Sequence, residues 1–418
     1  MATPETAWGD SRCITYLRAR LETGQVRLSC YKTNPFFDAT ADEPADSVVL
    51  RIRRLATPAF RFERDDDEFF DGLHWRDAEL IFEGVIPAVN NRKYDYMDRD
   101  VVSGGTYAYW VSTNRESGAT GPATVRVRDP QIWWPWNEID RRLEKLAANH
   151  PQDAELLPVG HTAHNRPLRA LRAGRRDYAL VLIGAVHPGE SGPELMLPAV
   201  EHLLDRRTEL LERVGLAVLP SVCADERERL ALGYPPYLRV NSNGVDLNRN
   251  FPSNWEAVDY LYGMVSDDPD SITYRGPAPA SEPETQAVMA LCEQVTPAAV
   301  LSYHHLGSLA GSRFVISSAA ADDKEHFAFC TALNRAYRRG MAPDDLDERP
   351  VVLHSGCTGG SLPTWAYDLY HVPACDLESD GSPACVRSRT DQATSSDMVE
   401  QQQKHLAGLT AVLELLAQ

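Results

Sequence analysis

Residues 178–190 read YALVLIGAVHPGE, an apolar run of strand type that ends on His187-Pro188-Gly189-Glu190. Beyond it, helix-type and strand-type stretches alternate: ELMLPAVEHLL, GLAVLPSV, PETQAVMALCEQV, AAVLSYHH, FAFCTALNRAYRR and VPACDL. This rhythm predicts an α/β domain built on a largely parallel or mixed central sheet with helices on both faces. In such sheets a ligand sits beyond the carboxyl ends of the strands. Three strand ends here deliver chemically competent residues: His187 after YALVLIGAV, His304 in AAVLSYHH and Glu378 at the end of VPACDLE.

Upstream the pattern is different. Short β-type runs, SVVLRIRRL, AELIFEGVI, TYAYWVST and ATVRVRD, are separated by turn residues, with no helical segment between them. That pattern predicts an antiparallel all-β sandwich. A Pro/Trp segment, DPQIWWPW, marks the junction, and a helix follows, with Ile139, Leu143, Leu146 and Ala147 at helical spacing. The expected organisation is therefore a sandwich over residues 1–130 and an α/β catalytic domain over 131–418.

The 418 residues carry a formal net charge of -18, which disfavours binding to nucleic acid or to an anionic membrane and favours a small-molecule or peptide partner. Arg51, Arg53 and Arg54 are read as a solvated face or strand end. The N-terminal MATPETAWGDSR lacks a signal-peptide pattern, and no apolar run reaches membrane-spanning length, so a cytoplasmic location is expected. The eight cysteines include no CxxC pair, which predicts buried reduced thiols rather than a thiolate metal site or a disulfide framework. Oligomeric state is not readable from the sequence.

His187 and Glu190, three residues apart, reach one cation if they occupy a turn entering a helix. A catalytic zinc needs three protein ligands and an open position, and two histidines with one glutamate form an established set. The third ligand falls to His304 or His305, which point to opposite faces of one strand, so that only one of them can serve. The string GVDLNRNF at 244–251 sets the Arg249 fork beside the amide of Asn248, the pairing that bidentate recognition of a free carboxylate requires. Asp376 is expected on the opposite side of its strand from Glu378 and is set aside as a base.

HPGE, NSNGVDLNRNF, LSYHH and DLES, in that order and with the lead-in LLPVGHTAHNRPLRALRAG, resemble the zinc carboxypeptidases, peptidase family M14, over residues 133–418. The resemblance implies one zinc ion held by His187, Glu190 and His304. It implies that Asn248 and Arg249 clamp the terminal carboxylate of a peptide, that Glu378 is the general base, and that Arg239 polarises the scissile carbonyl. Where the family carries a loop tyrosine shortly before a Gly-Gly-Ser string, this chain reads LHSGCTGGSLPTW, and His354 stands near the expected position. Leu362 falls where members of the family set side-chain preference, which implies an apolar terminal residue. HPGES is similar to the cytosolic, glutamate-trimming branch and DLNRNFP to the secreted and bacterial branches. Residues 94–129 resemble the end of a fibronectin type III or immunoglobulin-like module.

The function implied is a metallocarboxypeptidase that hydrolyses the last peptide bond of a peptide with a free carboxylate. Its rivals are a cell-wall murein peptide carboxypeptidase or amidase and a non-catalytic peptide-binding relative.

Overall fold

A computed structural model describes residues 14–32, 47–57, 73–87, 92–114, 118–131, 133–190, 192–234, 238–257, 265–304, 313–316, 322–341, 351–353, 359–378 and 395–418. The chain divides into two compact units, Met1–Asp129 with Leu232–Pro236, and Pro130–Ala231 with Tyr237–Gln418.

The first unit holds two antiparallel sheets. One has the order β1-β2-β5 (Ile14–Glu22, Gln25–Lys32, Lys93–Asp98) and the other β4-β3-β6-β7 (Glu79–Pro87, Ser47–Thr57, Thr106–Thr113, Thr120–Arg126). Alternation along the strands explains how they stack. In β2 every second residue is buried, and Val26, Leu28 and Cys30 join one apolar cluster with Val48, Leu50 and Ile52 of β3 and with Tyr109 and Val111 of β6. Two sheets sharing one core make a sandwich. Leu232–Pro236 joins this unit through the main chain: Leu21 N–H donates to Leu232 O (2.9 Å), and Arg126 N–H donates to Gly233 O (2.8 Å). Gly233 sits at φ +84°, and a Cβ there would stand 2.5 Å from Val125 Cγ2 and 2.7 Å from Arg126 O, so only glycine fits.

Arg54 departs from the solvated-face expectation. It is buried beside Asp98, with Nη1 3.1 Å from Oδ2, and its Nε donates to Glu79 at 2.9 Å. The buried Tyr109 hydroxyl donates to the same Asp98 at 2.9 Å.

The second unit is built on an eight-stranded mixed sheet, β14-β13-β15-β12-β10-β11-β9-β8 (Val351–Leu353, Arg313–Ile316, Ala374–Glu378, Pro297–Tyr303, Ala179–Ile183, Gly215–Leu219, Pro167–Ala173, Ala154–His161). β11, β10, β12 and β15 run parallel at its centre. All five residues of β10 are buried, and they alternate between two cores. Leu180 and Leu182 pack with apolar residues of the helices Trp136–Asn149, Pro193–Arg206, Lys324–Met341 and Ser395–Leu416. Ala179, Val181 and Ile183 pack with those of Pro283–Gln294 and Leu362–Tyr370. The alternation that exposes one face of a sandwich strand here buries both, because helices cover each face of the sheet.

Among the described residues no helix is long and apolar enough to cross a membrane. Cys30, Cys223, Cys292, Cys330 and Cys375 are free and buried.

Candidate metal centre and active site

The parallel register brings the carboxyl ends of β10, β12 and β15 together. Ile183 pairs with Ser302, Tyr303 pairs with Leu377, and His304 N–H donates to Leu377 O at 3.1 Å. Just past β10, Ala185 adopts φ +48°, a left-handed conformation that costs an alanine roughly 1–2 kcal/mol. Cys223 N–H holds it through Ala185 O at 3.1 Å. That turn throws the chain back so that His187 and Glu190 face the end of β12.

His187, Glu190 and His304 are buried and offer one donor atom each within 4.8 Å of the others. His187 Nδ1 is 3.1 Å from Glu190 Oε2, His304 Nδ1 is 3.0 Å from the same oxygen, and the two Nδ1 atoms are 3.2 Å apart. Each imidazole has its other nitrogen against an oxygen. His187 Nε2 lies 3.0 Å from Asp246 Oδ1, and His304 Nε2 lies 3.0 Å from Ser302 Oγ and 3.2 Å from Asp376 Oδ1. The last is an ion-pair contact rather than an aligned hydrogen bond.

With Nε2 protonated toward the carboxylates, both Nδ1 lone pairs and a carboxylate oxygen face one another, an arrangement that suits a cation. With metal bonds near 2.0–2.1 Å, ligand atoms of a tetrahedral zinc stand about 3.3 Å apart, and the observed triangle is close to that size. The donor set therefore fits zinc.

The surrounding charges favour a cation as well. Burial opposes a charge on His304, but Asp376 and Glu190 outweigh it and push its pKa well up. Burial likewise opposes the Asp246 carboxylate, and Arg239, His187 and Arg249 overcome it and hold Asp246 well below the usual carboxylate range.

The GVDLNRNF loop supplies the next ring. Asp246 accepts from Arg239 Nε at 2.9 Å and from Asn248 N–H at 3.0 Å. The Asn248 carboxamide donates to Asp376 Oδ2 at 2.9 Å and accepts from Leu362 N–H at 2.9 Å. Arg249 is buried, with Nη1 donating to Asn248 O at 2.7 Å. The Gly-Gly-Ser string closes against this loop. Gly360, at φ +67°, lies so close to Arg249 that an added Cβ would stand 1.9 Å from Arg249 O. Leu362 is fully buried in the apolar cluster that contains Leu247, Phe251 and Trp365.

Three residues of this site carried no role in the sequence reading. Asp246 lay unnoticed inside the quoted string, two positions before Asn248. Arg227, fully buried, stacks 3.6 Å over Trp133, pairs with Glu194, and donates to Trp134 O at 3.1 Å, Pro188 O at 3.3 Å and Glu190 O at 2.8 Å, so that it pins the main chain of the metal loop. Asp376 was assigned the wrong side of its strand. Positions two apart share a face, and its side chain reaches His304 and Asn248.

His305 and His354 lie outside the described residues, and of Glu378 only the main chain is described, closing β15 opposite Arg313.

Residues 139–378, more than half of the chain, match the family model Peptidase_M14, zinc carboxypeptidase. The chain is 32% identical over 203 residues to murein peptide amidase A of Escherichia coli K12, a match covering 47% of this chain and 69% of that protein. It is 31% identical over 173 residues to mast cell carboxypeptidase A of Rattus norvegicus, covering 37% of this chain and 40% of that one. The crystal structure of carboxypeptidase A from Helicoverpa armigera shares the fold at a TM-score of 0.54 and 16% identity, covering 89% of this chain and 98% of that one. With the ligand geometry, the mixed sheet and the family match together, this chain belongs to the zinc carboxypeptidase family and is a hydrolase of that family.

Proposed function

We propose that the chain binds one zinc ion through His187, Glu190 and His304 and removes single residues from the free carboxyl end of a peptide. The observation that carries this reading is the triangle of two Nδ1 atoms and one carboxylate oxygen, with edges of 3.0–3.2 Å, at the carboxyl ends of adjacent parallel strands. When bound there, zinc supplies Lewis-acid polarisation and lowers the pKa of a water toward neutrality. Glu378 takes the water proton and hands it to the leaving amine. Arg239, anchored by Asp246, adds positive charge where the oxyanion develops. Arg249 and Asn248 hold the substrate carboxylate, Arg249 through its planar fork. His354 and Leu362 are assigned to substrate contact and terminal-residue preference.

One observation favours a second substrate within the same chemistry. The relative of which this chain covers 69% is a murein peptide amidase, so a cell-wall peptide with a D-configured or diaminopimelate carboxylate is the alternative. Mass spectrometry of a peptide library incubated with zinc-loaded protein separates the two. The library carries free and amidated ends, L- and D-residues and diaminopimelate peptides. Loss of one residue from free L-ended peptides supports the first reading. Cleavage confined to D- or diaminopimelate-containing peptides supports the second, and no cleavage of any member contradicts both.

A further inference from the structure

The geometry points to Asp376 as a positioning residue for the metal ring, one acid whose two oxygens set both a metal ligand and the loop that receives the substrate carboxylate. This rests on the zinc reading above and concerns how this chain builds that site. Asp376 is buried on β15, with Oδ1 3.2 Å from His304 Nε2 and Oδ2 accepting from Asn248 Nδ2 at 2.9 Å. The parallel pairing of Ser302 with Asp376 fixes that reach, since it sets the acid beside the strand that ends at His304. Ser302 Oγ touches the same Nε2 at 3.0 Å, so the outer edge of the His304 ring meets two oxygens and its Nδ1 is turned inward toward Glu190.

The other imidazole has a matching carboxylate, Asp246 on His187 Nε2, and Asp246 likewise accepts from the Asn248 residue, through its N–H. Asn248 is therefore held between the two acids, one by its main chain and one by its side chain, and its Oδ1 takes the Leu362 N–H at the start of the helix Leu362–Tyr370. Only a carboxylate suits position 376. It sets a negative charge 3.2 Å from the imidazole nitrogen and an acceptor on the amide N–H, whereas a carboxamide carries no charge and turns a donor toward one of the two partners.

The test is zinc affinity of apo protein, by competition with a chromophoric chelator, together with the absorption spectrum of the cobalt(II) form. Wild type and His187→Ala come first: one site in the former and none in the latter supports the zinc reading, and no binding by wild type sinks that reading and this inference with it. Asp376→Asn and the shorter Asp376→Ser are then expected to bind zinc roughly 10- to 100-fold more weakly and to give a shifted cobalt spectrum. A role in packing alone would lower the thermal stability of the apo chain and leave both readouts in place. Affinity within twofold of wild type with an unchanged cobalt spectrum in a folded variant overturns the inference while leaving the zinc reading standing. Failure of both variants to fold without metal, where wild type folds, overturns it too, because the acid would then serve the fold and not the ring.

Discussion

Two buried charged networks in this chain differ in how their charges close. Around Arg54 in the sandwich, a guanidinium meets Asp98 and Glu79, Tyr109 donates to Asp98, and donors and acceptors answer one another. Around His187 and His304, three buried acids face two imidazoles, and two Nδ1 atoms and one carboxylate oxygen form a triangle with edges of 3.0–3.2 Å. A network whose charges answer one another in pairs holds a fold together, whereas one that turns several donor atoms toward a common point makes a ligand site. Burial and charge alone do not separate the two: Arg54, Asp98 and Tyr109 are buried, as the metal-centre residues are, although Glu79 is exposed.

The contrast can be broken at either network. The largest effect is expected from Glu378→Gln. Turnover should fall roughly 10²- to 10⁴-fold while zinc content stays at the wild-type value, and a near-wild-type rate would remove Glu378 as general base. Arg54→Ala should destabilise the first unit by about 3–5 kcal/mol, because it strands buried Asp98 without its cation. Denaturant unfolding measures this, and the zinc affinity of the folded fraction should not change. A cost under about 1 kcal/mol would mean that the Arg54 network is as weak as a surface pair. Chelation should act only on the converging network. Unfolding followed with free zinc at a hundred times its dissociation constant should show about 2.7 kcal/mol of extra stability over the apo protein, and His187→Ala should abolish that difference.

The most gradual effect concerns a third buried group, His405, which lies between the hydroxyls of Tyr303 (3.1 Å) and Tyr337 (2.7 Å). Burial brings its pKa down from 6.5 to about 3. The unfolded chain takes up this proton as pH falls below 6.5 and the folded chain does so only near 3, so stability is lost on acidification across that window. The slope is about 1.4 kcal/mol per pH unit. His405→Gln should remove that contribution to the slope of urea-unfolding free energy against pH. An unchanged slope would show that His405 takes up its proton in the folded state as readily as in the unfolded one.

Much of the site was legible because its residues sit where strands end. The apolar runs before His187, His304 and Glu378 announce three strands, and a sheet with helices on both faces gathers such ends at one edge. The remainder depended on partners that only packing supplies. Arg227 stands in CADERERL, which reads as an ordinary charged helix, yet its partners Glu194 and Trp134 are 33 and 93 residues away in sequence. Arg54 looked solvated because a charged residue on a strand usually is, and its burial depends on Asp98 arriving from another sheet. The association of Leu232–Pro236 with the sandwich unit runs through main-chain bonds, which leave no side-chain signature. Asp376 was open to a correct reading: the strand period of two places its side chain on the face it occupies, and the expectation erred by counting it to the other side.

The central claim is a single cation held by His187, Glu190 and His304, and calorimetric titration of apo protein with zinc tests it most directly. The account predicts one equivalent bound by wild type and none by His187→Ala or His304→Ala. Wild-type binding of zero or two equivalents, or a full equivalent retained by either variant, would contradict it.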